Sequence, residues 1–253
     1  MPTSPRLLIT LCTYNERENI LQLIPEIHGV LPDAHVLVID DASPDGTGKL
    51  VDEMAAHDDR IHALHRSGKL GLGTATIAGF EYGIREGYDL LLNMDADFSH
   101  PPRFLPSLVE ACDQADVVIA SRYVPGGAVV GWGPLRHIMS RGINIYARTM
   151  LGLTTRDNSG SFRLYSVAKL AEVDWQQSRA KGYAFEEEIL FRLKNVGCTF
   201  VEVPFQFEER RFGETKINTQ EALSALTILA QLGFERLRPR RSPTGSQENE
   251  SNT

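Results

Sequence analysis

The sequence predicts an α/β fold in which a mainly parallel central sheet is covered by helices on both faces. Short, continuously apolar segments alternate with amphipathic helical segments from residue 6 to residue 122. Strands that are apolar on both sides belong inside a parallel sheet, whose crossover connections are usually helices. In addition, two of the apolar segments end in aspartate pairs, and in such sheets ligands bind beyond the carboxyl ends of the strands.

Each element of the first half follows from the period of its apolar residues. Strands are predicted at residues 6–13, 35–41, 61–66, 89–95 and 115–122. Helices are predicted at residues 16–31, near 48–57 and, after a short loop, within 71–87. One face of the first helix carries four apolar residues at helical spacing, Ile20, Leu23, Ile24 and Ile27. Pro25 is expected to kink that helix.

The second half is less regular. Helices are predicted at residues 133–153, 182–197 and 219–237. A strand is predicted at residues 199–210, where Pro204 indicates the edge of a sheet. We expect residues 1–236 to form one domain and the polar segment 237–253 to be disordered.

The composition excludes several classes of protein. The chain has 253 residues and a formal charge of −7, which argues against a general nucleic-acid binder. Cys12, Cys112 and Cys198 lack metal-ligand spacing, which favours reduced thiols in a cytoplasmic compartment. The N-terminus lacks the pattern of a signal peptide, and no apolar stretch reaches the ~20 residues needed to span a bilayer. We therefore expect no transmembrane helix.

The pair Asp95 and Asp97 follows the predicted strand at residues 89–95. Side chains two positions apart in an extended segment point the same way, and a divalent cation relieves the repulsion between their charges. Oxygen ligands suit Mg²⁺ or Mn²⁺, with water and substrate phosphates completing the octahedron. An acidic loop tip exposed to water is the alternative, because this spacing alone is a weak signal.

A second acidic pair, Asp40 and Asp41, ends the strand at residues 35–41. Residues 43–46 have the composition of a turn, with Thr47 as the expected helix N-cap. That turn does not explain the second aspartate, which could accept hydrogen bonds from a nucleobase or ribose. Residues 71–75, "GLGTA", lack both common phosphate-loop patterns, and close packing at a helix start explains their glycines equally well.

Cationic residues lie in two predicted loops. Arg122 ends the fifth strand, and Arg210, Arg211 and Lys216 surround a glycine. Such residues usually form a solvated surface. In an acidic chain with two acidic strand ends, they are also plausible clamps for a diphosphate.

Taken together and in order, these motifs resemble a known family. They are "TYNERENI" (13–20), "DDASPDGTG" (40–48), "GLGTA" (71–75), "MDADFSHPPRF" (94–104), "SRYVPGG" (121–127), "SRGIN" (140–144), "SGSFRLY" (159–165), "KGYAFE" (181–186) and "RRFGETK" (210–216). The chain resembles the dolichyl- or polyprenyl-phosphate mannosyltransferases, which are inverting family-2 glycosyltransferases with the Rossmann-like GT-A fold. The resemblance runs from about residue 7 to residue 235, and it is to the short type without C-terminal membrane spans.

The resemblance implies GDP-mannose as the donor and a dolichyl or other polyprenyl phosphate as the acceptor. The positions that would hold the guanosine are Cys12, Tyr14, Glu16, Ile39 and Asp41. Those that would reach the ribose and diphosphate are Asp95, Ala96 and Asp97, with Arg210 and Lys216 on the donor phosphates.

The resemblance also implies a metal site and an acceptor site. Asp97 would be the principal ligand of Mg²⁺ or Mn²⁺, with Asp95 and with Ser99, which stands where some members have a glutamine ligand. Arg122 and Arg136 would bind the lipid phosphate. The groups expected to act in catalysis are Asp97, Arg122 and Arg210.

Two departures from the family pattern leave alternatives open. Cys12 stands where the family usually has proline, and Glu186 stands where it usually has glutamine, which puts any sugar or acceptor contact at 186 in doubt. A transferase for glucose or another nucleotide sugar is one alternative function. A non-catalytic subunit that binds a nucleotide sugar is another.

The predicted helix at residues 133–153 could lie on a membrane surface. Its apolar residues are Leu135, Ile138, Met139, Ile143, Tyr146, Met150 and Leu151, and its cations are Arg136, Arg141 and Arg148. A helix packed in the core is the alternative, and the arginine-rich end of the last helix is a second candidate for membrane contact. We expect peripheral attachment to the cytoplasmic face of a membrane, with a small membrane-anchoring subunit as a further candidate partner.

Overall fold

The computed structural model describes residues 5–209, apart from 181 and 183, and residues 219–237, with only the backbone at 219–226 and 237. Its central sheet has seven strands: β1 (Leu7–Thr13), β2 (His35–Asp40), β3 (Ile61–His65), β4 (Leu90–Asp95), β5 (Val117–Ser121), β7 (Arg163–Ser166) and β8 (Phe200–Pro204). A separate ribbon pairs β6 (Ala128–Val129) with β9 (Gln206–Phe207). The sheet order is β3-β2-β1-β4-β7-β5-β8, and β7 runs antiparallel to both its neighbours.

Helices cover both faces of this sheet. They are α1 (Arg17–Val30), α2 (Thr47–Ala55), α3 (Leu72–Arg85), α4 (Leu105–Glu110), α5 (Pro134–Tyr146), α6 (Val167–Ala171), α7 (Phe185–Asn195) and α8 (Thr219–Leu237). Apolar side chains of α1, α2 and α4 form one core against the sheet. Those of α3, α6, α7 and α8 form a second core on the other face. The predicted fold class, an α/β domain with a mainly parallel sheet between two helical layers, is confirmed.

The regular first half follows its sequence pattern closely. All five predicted strands are present, and the predicted apolar face of α1, Ile20, Leu23, Ile24 and Ile27, is buried. The cap of α2 differs from the prediction. Gly46 occupies the N-cap position, and the Asp45 carboxylate accepts the Thr47 backbone N–H at 2.9 Å. Thr47 is therefore the first helical residue and not the cap.

The second half departs further from its pattern. The predicted strand at residues 199–210 is interrupted at Phe205, whose buried side chain separates β8 from β9. β8 is the last strand of the sheet order, so the edge position indicated by Pro204 is confirmed. The short strand β7 was not expected, because its four residues begin with an arginine and end with a serine.

The helix predicted at residues 133–153 consists of α5 followed by a π-helical turn, Ala147–Leu151. The chain then leaves the helix at Gly152, whose φ of 66° lies in the left-handed region. Across the part of the chain that the structure describes, no helix combines the length and the apolar character that crossing a bilayer requires. The tail after Leu237 lies outside the described residues, so its disorder stays a prediction.

Candidate functional site

The carboxyl ends of β1, β2 and β4 meet at one edge of the sheet. The register places Thr13 beside Asp40 and Cys12 beside Asp95. The two acidic segments, which are more than fifty residues apart in the chain, therefore flank the same central strand. The expectation that they lie together at a ligand-binding edge agrees with this register.

The loops at this edge are also strained. Within the described chain, the non-glycine residues with positive φ are Asn15 at 64°, Ala42 at 55° and Phe98 at 67°. Each follows the end of one of the three central strands. Such conformations cost on the order of 1–3 kcal/mol each and concentrate at functional sites. The backbone independently marks the same edge that the carboxylates mark.

His100 fixes the backbone of Asp95, the first residue of the acidic pair. Its Nδ1 accepts the backbone N–H of Asp95 at 2.9 Å, so the proton of a neutral ring lies on Nε2, 3.9 Å from Asp95 Oδ2. The hydroxyl of Ser161 donates to Asp95 Oδ1 at 2.7 Å. The imidazole is buried and stacks on Phe162, and burial lowers the pKa of His100. The Asp95 backbone is thus fixed by His100, and its carboxylate is fixed by Ser161.

Asp97 lies deeper than Asp95. It is buried, and its Oδ1 accepts the backbone N–H of Ser99 at 3.0 Å. The buried hydroxyl of Ser99 has no hydrogen-bond partner among the described residues. The side chains of Asp95, Asp97 and Ser99 are hard oxygen donors, so they fit Mg²⁺ or Mn²⁺. In the described part of the chain no group of three histidine, cysteine or acidic side chains could hold a metal, so water and substrate oxygens would complete the coordination.

The two aspartates of the neighbouring acidic pair, Asp40 and Asp41, have different roles. Asp40 is a structural residue, since its carboxylate accepts the Thr13 hydroxyl at 3.1 Å. Asp41 accepts the backbone N–H of Leu70 at 3.1 Å and lies 2.9 Å from the guanidinium of Arg66. Burial raises the pKa of Asp41 in spite of that cation. Asp41 therefore joins the loop before α3 to the end of β2, next to the acidic edge.

Of the two glycines within residues 71–75, Gly73 is required by packing. A Cβ at Gly73 would lie 2.7 Å from the carbonyl oxygen of Ala180 and 2.8 Å from the ring of Phe185. A side chain would not fit there, so close packing at the start of α3 accounts for this glycine.

Two of the predicted nucleoside positions are accessible. The ring of Tyr14 is exposed, and Lys69 Nζ lies 4.8 Å from its centroid. Glu16 occupies the N-cap position of α1, where its carboxylate accepts the Asn19 side-chain N–H at 2.6 Å. Both side chains border the same strained loop after β1.

Three further donor positions have buried or partly buried side chains. Ile39 and Ala96 pack in the two apolar cores, which leaves only their backbone atoms for a ligand. Cys12 lies 3.8 Å from the hydroxyl of Thr76, and burial raises the pKa of its thiol to about 12. The thiol is therefore neutral and not a nucleophile. Arg210 and Lys216 lie outside the described residues, so their donor-phosphate roles stay predictions.

Arg122 is held by a residue that sequence reasoning did not find. Its Nε and one terminal nitrogen donate to the two carboxylate oxygens of Asp157 at 2.7 and 2.6 Å. Its backbone N–H donates to the same carboxylate at 2.9 Å. Asp157 is fully buried in an aperiodic loop, so no sequence pattern marks it. The paired guanidinium is fixed in orientation at the end of β5.

Arg136 lies near Arg122 because both contact one aromatic pair. The guanidinium carbon of Arg136 is 4.1 Å and that of Arg122 is 5.3 Å from the Trp132 ring. Both are 5.9 Å from the Phe207 ring, which the β6–β9 ribbon positions. The tight turn before the ribbon requires Gly127, whose Cβ would lie 2.4 Å from the Ser121 carbonyl oxygen. The structure thus brings together the two arginines predicted for an acceptor phosphate.

A buried acidic cluster lies at the start of α7. Arg163 lies 3.1 Å from Glu186 Oε2 and donates to the Glu186 carbonyl oxygen at 2.9 Å. Burial outweighs that cation and raises the pKa of Glu186 to about 7 and that of Glu187 to about 8. The charge of Asp95 also acts to raise the pKa of Glu186. The raised pKa favours the protonated form of Glu186, which has nearly the shape of a glutamine side chain.

Helix α5 exposes apolar residues and buries polar ones, which is the opposite of an ordinary surface helix. Leu135 is 71% and Ile138 68% exposed, and Met139 is exposed beside them. The buried residues of α5 are the polar Ser140 and Asn144. The alternative of a core-packed helix is therefore wrong for Leu135, Ile138 and Met139. It is right for Leu151, which is buried in the core, and Tyr146 is partly buried against the same core.

The comparisons with known proteins agree with this architecture. The family model described as glycosyl transferase family 2 matches residues 8–174. The polyprenol monophosphomannose synthase of Mycolicibacterium smegmatis is 43% identical over 231 residues, 90% of this chain and 87% of that protein. The undecaprenyl-phosphate mannosyltransferase of Micrococcus luteus is 45% identical over 213 residues, 84% of this chain and 88% of its own.

Two solved structures share the fold at low identity. Glucosyl-3-phosphoglycerate synthase from Mycobacterium tuberculosis, with Mn²⁺, UDP and phosphoglyceric acid, has a TM-score of 0.64 at 18% identity, covering 94% of this chain and 81% of that one. Mannosyltransferase PcManGT from Pyrobaculum calidifontis, with GDP-Man and Mn²⁺, has a TM-score of 0.58 at 15% identity, covering 96% of this chain and 67% of that one.

Proposed function

The chain belongs to family 2 of the glycosyltransferases, and we propose that it transfers mannose from GDP-mannose to a polyprenyl phosphate. The product is a polyprenyl β-mannosyl phosphate. One observation carries the proposal: an acidic strand-end edge and a pair of converging arginines occur in a chain 43% identical to a polyprenol monophosphomannose synthase. The edge suits a nucleotide diphosphate with its cation, and the arginines suit a second phosphate.

The donor occupies the edge formed by β1, β2 and β4. Tyr14, Glu16 and Asp41 border the guanosine, and Asp95 and Asp97 face its ribose and diphosphate. Asp95, Asp97 and Ser99 would hold a divalent cation, which would supply Lewis-acid stabilisation to the leaving diphosphate. Ser161 donates to the Asp95 carboxylate, and His100 fixes the Asp95 backbone by accepting its N–H.

The acceptor phosphate binds beside Arg122 and Arg136. Its second pKa is near ~6, so the phosphate is already anionic at neutral pH and needs no general base. A phosphate oxygen attacks the anomeric carbon and forms the new C–O bond. The bond between that carbon and the diphosphate breaks, and its electron pair leaves with GDP. A single displacement inverts the configuration, so an α-linked donor gives a β-linked product.

The outer face of α5 brings the enzyme to its lipid. Exposed Leu135, Ile138 and Met139 form an apolar surface, and Arg136 and Arg141 lie on the same helix, where we expect them to meet anionic headgroups. This is the arrangement of an amphipathic helix in the interfacial plane of a bilayer. We place the enzyme on the cytoplasmic face of its membrane, bound reversibly.

Sugar transfer assays test this function. Purified protein is incubated with Mn²⁺, a short polyprenyl phosphate and radiolabelled GDP-mannose, and lipid-extractable label is counted. UDP-glucose replaces GDP-mannose in a parallel reaction. Label extracted from GDP-mannose and not from UDP-glucose supports the proposal. Transfer from UDP-glucose alone reassigns the sugar, and nucleotide binding without any transfer indicates a non-catalytic subunit.

A further inference from the structure

The inner face of α5 makes contacts that the proposed reaction does not use. A surface helix normally buries apolar residues, whereas α5 buries Ser140 and Asn144. Both belong to the segment "SRGIN", residues 140–144. Buried polar side chains need partners, so the partners of these two residues decide what the helix is fixed to.

Asn144 is fixed to the loop that carries the partner of Arg122. Its Oδ1 accepts the backbone N–H of Asn158 at 2.6 Å, and its Nδ2 donates to the Ser140 carbonyl oxygen at 2.9 Å. Asn158 directly follows Asp157, whose carboxylate holds Arg122 through two side-chain hydrogen bonds. The residue that Asn144 contacts is therefore adjacent in the chain to the residue whose carboxylate holds the Arg122 guanidinium.

The other buried residue of α5, Ser140, contacts the residue that follows Arg122. The hydroxyls of Ser140 and Tyr123 lie 2.7 Å apart, and Tyr123 directly follows Arg122. The same helix carries Arg136, which lies on the Trp132 ring. The position of α5 thus bears on both arginines, on Arg136 directly and on Arg122 through its two neighbours.

We propose that Asn144 is a positioning residue of the acceptor site: through Asn158 it fixes Asp157, and so sets the orientation of the Arg122 guanidinium. This role rests on the proposed function, in which Arg122 binds the acceptor phosphate. A planar guanidinium binds phosphate through paired N–H groups, so a small rotation costs hydrogen bonds that a point charge would keep.

The loop has other anchors, which makes the role separable from folding. The Glu202 carboxylate accepts the backbone N–H groups of Arg156 at 2.8 Å and Asp157 at 3.0 Å. Arg163 donates to the Asn158 carbonyl oxygen at 2.8 Å. Without the Asn144 side chain the loop stays attached to β8 and β7. It loses the restraint that comes from α5.

The test measures acceptor and donor affinity separately. Geranyl phosphate is titrated against the whole chain, and the fluorescence of Trp132, which both arginines approach, reports its binding. Asn144→Ala is expected to raise the Kd of geranyl phosphate about tenfold and to leave the calorimetric Kd of GDP with Mn²⁺ unchanged. Asn144→Ser replaces Asn144→Ala if the latter does not fold. The control Thr199→Val removes the hydroxyl contact with Asp116 at the other end of β8 and should change neither Kd.

A double-mutant cycle tests whether Asn144 acts through Arg122. With Arg122→Lys the group is a point charge, so adding Asn144→Ala should change the Kd of geranyl phosphate less than twofold. The same tenfold loss in that background, an equal loss of GDP affinity, or no loss in the single variant would each overturn the proposal.

Mannose transfer measured on the same samples separates this role from the proposed function. A wild-type chain that binds geranyl phosphate with the expected Asn144 dependence but transfers no mannose overturns the function and supports the positioning role. If the wild-type chain transfers mannose and Asn144→Ala binds geranyl phosphate normally, the function is supported and the positioning role is overturned. A wild-type chain that does not bind geranyl phosphate overturns both.

Discussion

The donor edge and the acceptor side of this site are built in different ways. At the donor edge, Asp41, Asp95 and Asp97 end or follow strands of a parallel sheet, and the register that pairs Thr13 with Asp40 and Cys12 with Asp95 brings their segments together. On the acceptor side, Arg122 depends on Asp157 in an aperiodic loop, and Arg136 depends on Trp132. A charged residue at a strand end is positioned by the backbone. A charged residue between loops is positioned by other side chains.

The difference predicts how each side responds to substitution. Changes at the donor edge should remove chemistry and leave the fold intact, because strand pairing there does not use the carboxylates. Changes on the acceptor side should alter binding and stability together, because its cations are paired with buried partners. Four experiments, in order of decreasing expected effect, test this contrast.

Asp97→Ala should reduce mannose transfer by about 10²–10³-fold, the range seen when one group that stabilises developing charge is removed. The physical reason is the loss of the more buried of the two carboxylates proposed to bind the cation. Thermal unfolding should stay near that of the wild type. Asp113→Ala, an exposed carboxylate at the opposite end of the sheet, is the matched control and should keep full activity. Near-normal transfer by Asp97→Ala, or by the wild type in EDTA, contradicts the metal role.

Arg122→Ala should weaken the acceptor roughly 10- to 100-fold, since a hydrogen bond to a charged group contributes about 1.5–3 kcal/mol. It should also lower the melting temperature, because Asp157 is left buried without its cation. Arg122→Lys keeps a charge beside Asp157 and should restore most of the stability but not the affinity. The measurements are the KM for polyprenyl phosphate, GDP calorimetry and thermal unfolding. Equal weakening of GDP binding would move Arg122 to the donor side.

Replacing Ile138 and Met139 by serine should lower binding to anionic vesicles about tenfold or more. Each loses an apolar side chain whose full burial is worth roughly 1.5–3 kcal/mol. Both are exposed, so unfolding should not change. Leu21→Ser, an exposed apolar residue of α1, is the control and should leave flotation unaltered. If the wild type does not float with vesicles, α5 does not bind lipid directly and a membrane-anchoring subunit becomes the better explanation.

The smallest effect concerns stability and pH. Burial raises the pKa of Glu186 to about 7 and that of Glu187 to about 8, above the value of a carboxyl in the unfolded chain. The folded state therefore binds more protons than the unfolded state between pH ~4.5 and ~8, and stability falls as pH rises through this window. The melting temperature in EDTA should drop between pH 5.5 and 8.5. Glu186→Gln, which does not titrate, should reduce that drop, and an unchanged pH dependence would show that Glu186 is charged in the fold.

Much of the first half could be predicted from sequence because its elements repeat a local period. The five strands, the buried face of α1 and the meeting of the acidic segments follow from apolar patterning and from the rule for parallel sheets. The motif resemblance indicated the family and implied that Arg122 and Arg136 bind the acceptor phosphate, neither of which followed from local patterning.

Only the tertiary structure decided how those residues are held. Asp157 and Asn144 act through contacts with residues distant in sequence, and a single polar residue in a loop carries no period. His100 contacts nearby Asp95, but its ring is placed by stacking on the distant Phe162. The sequence also did not decide which face of α5 is exposed, because an amphipathic pattern shows that two faces differ but not which face meets the protein. Burial of Ser140 and Asn144 settles that question, since a buried amide or hydroxyl is tolerated only where the fold supplies its hydrogen-bond partners.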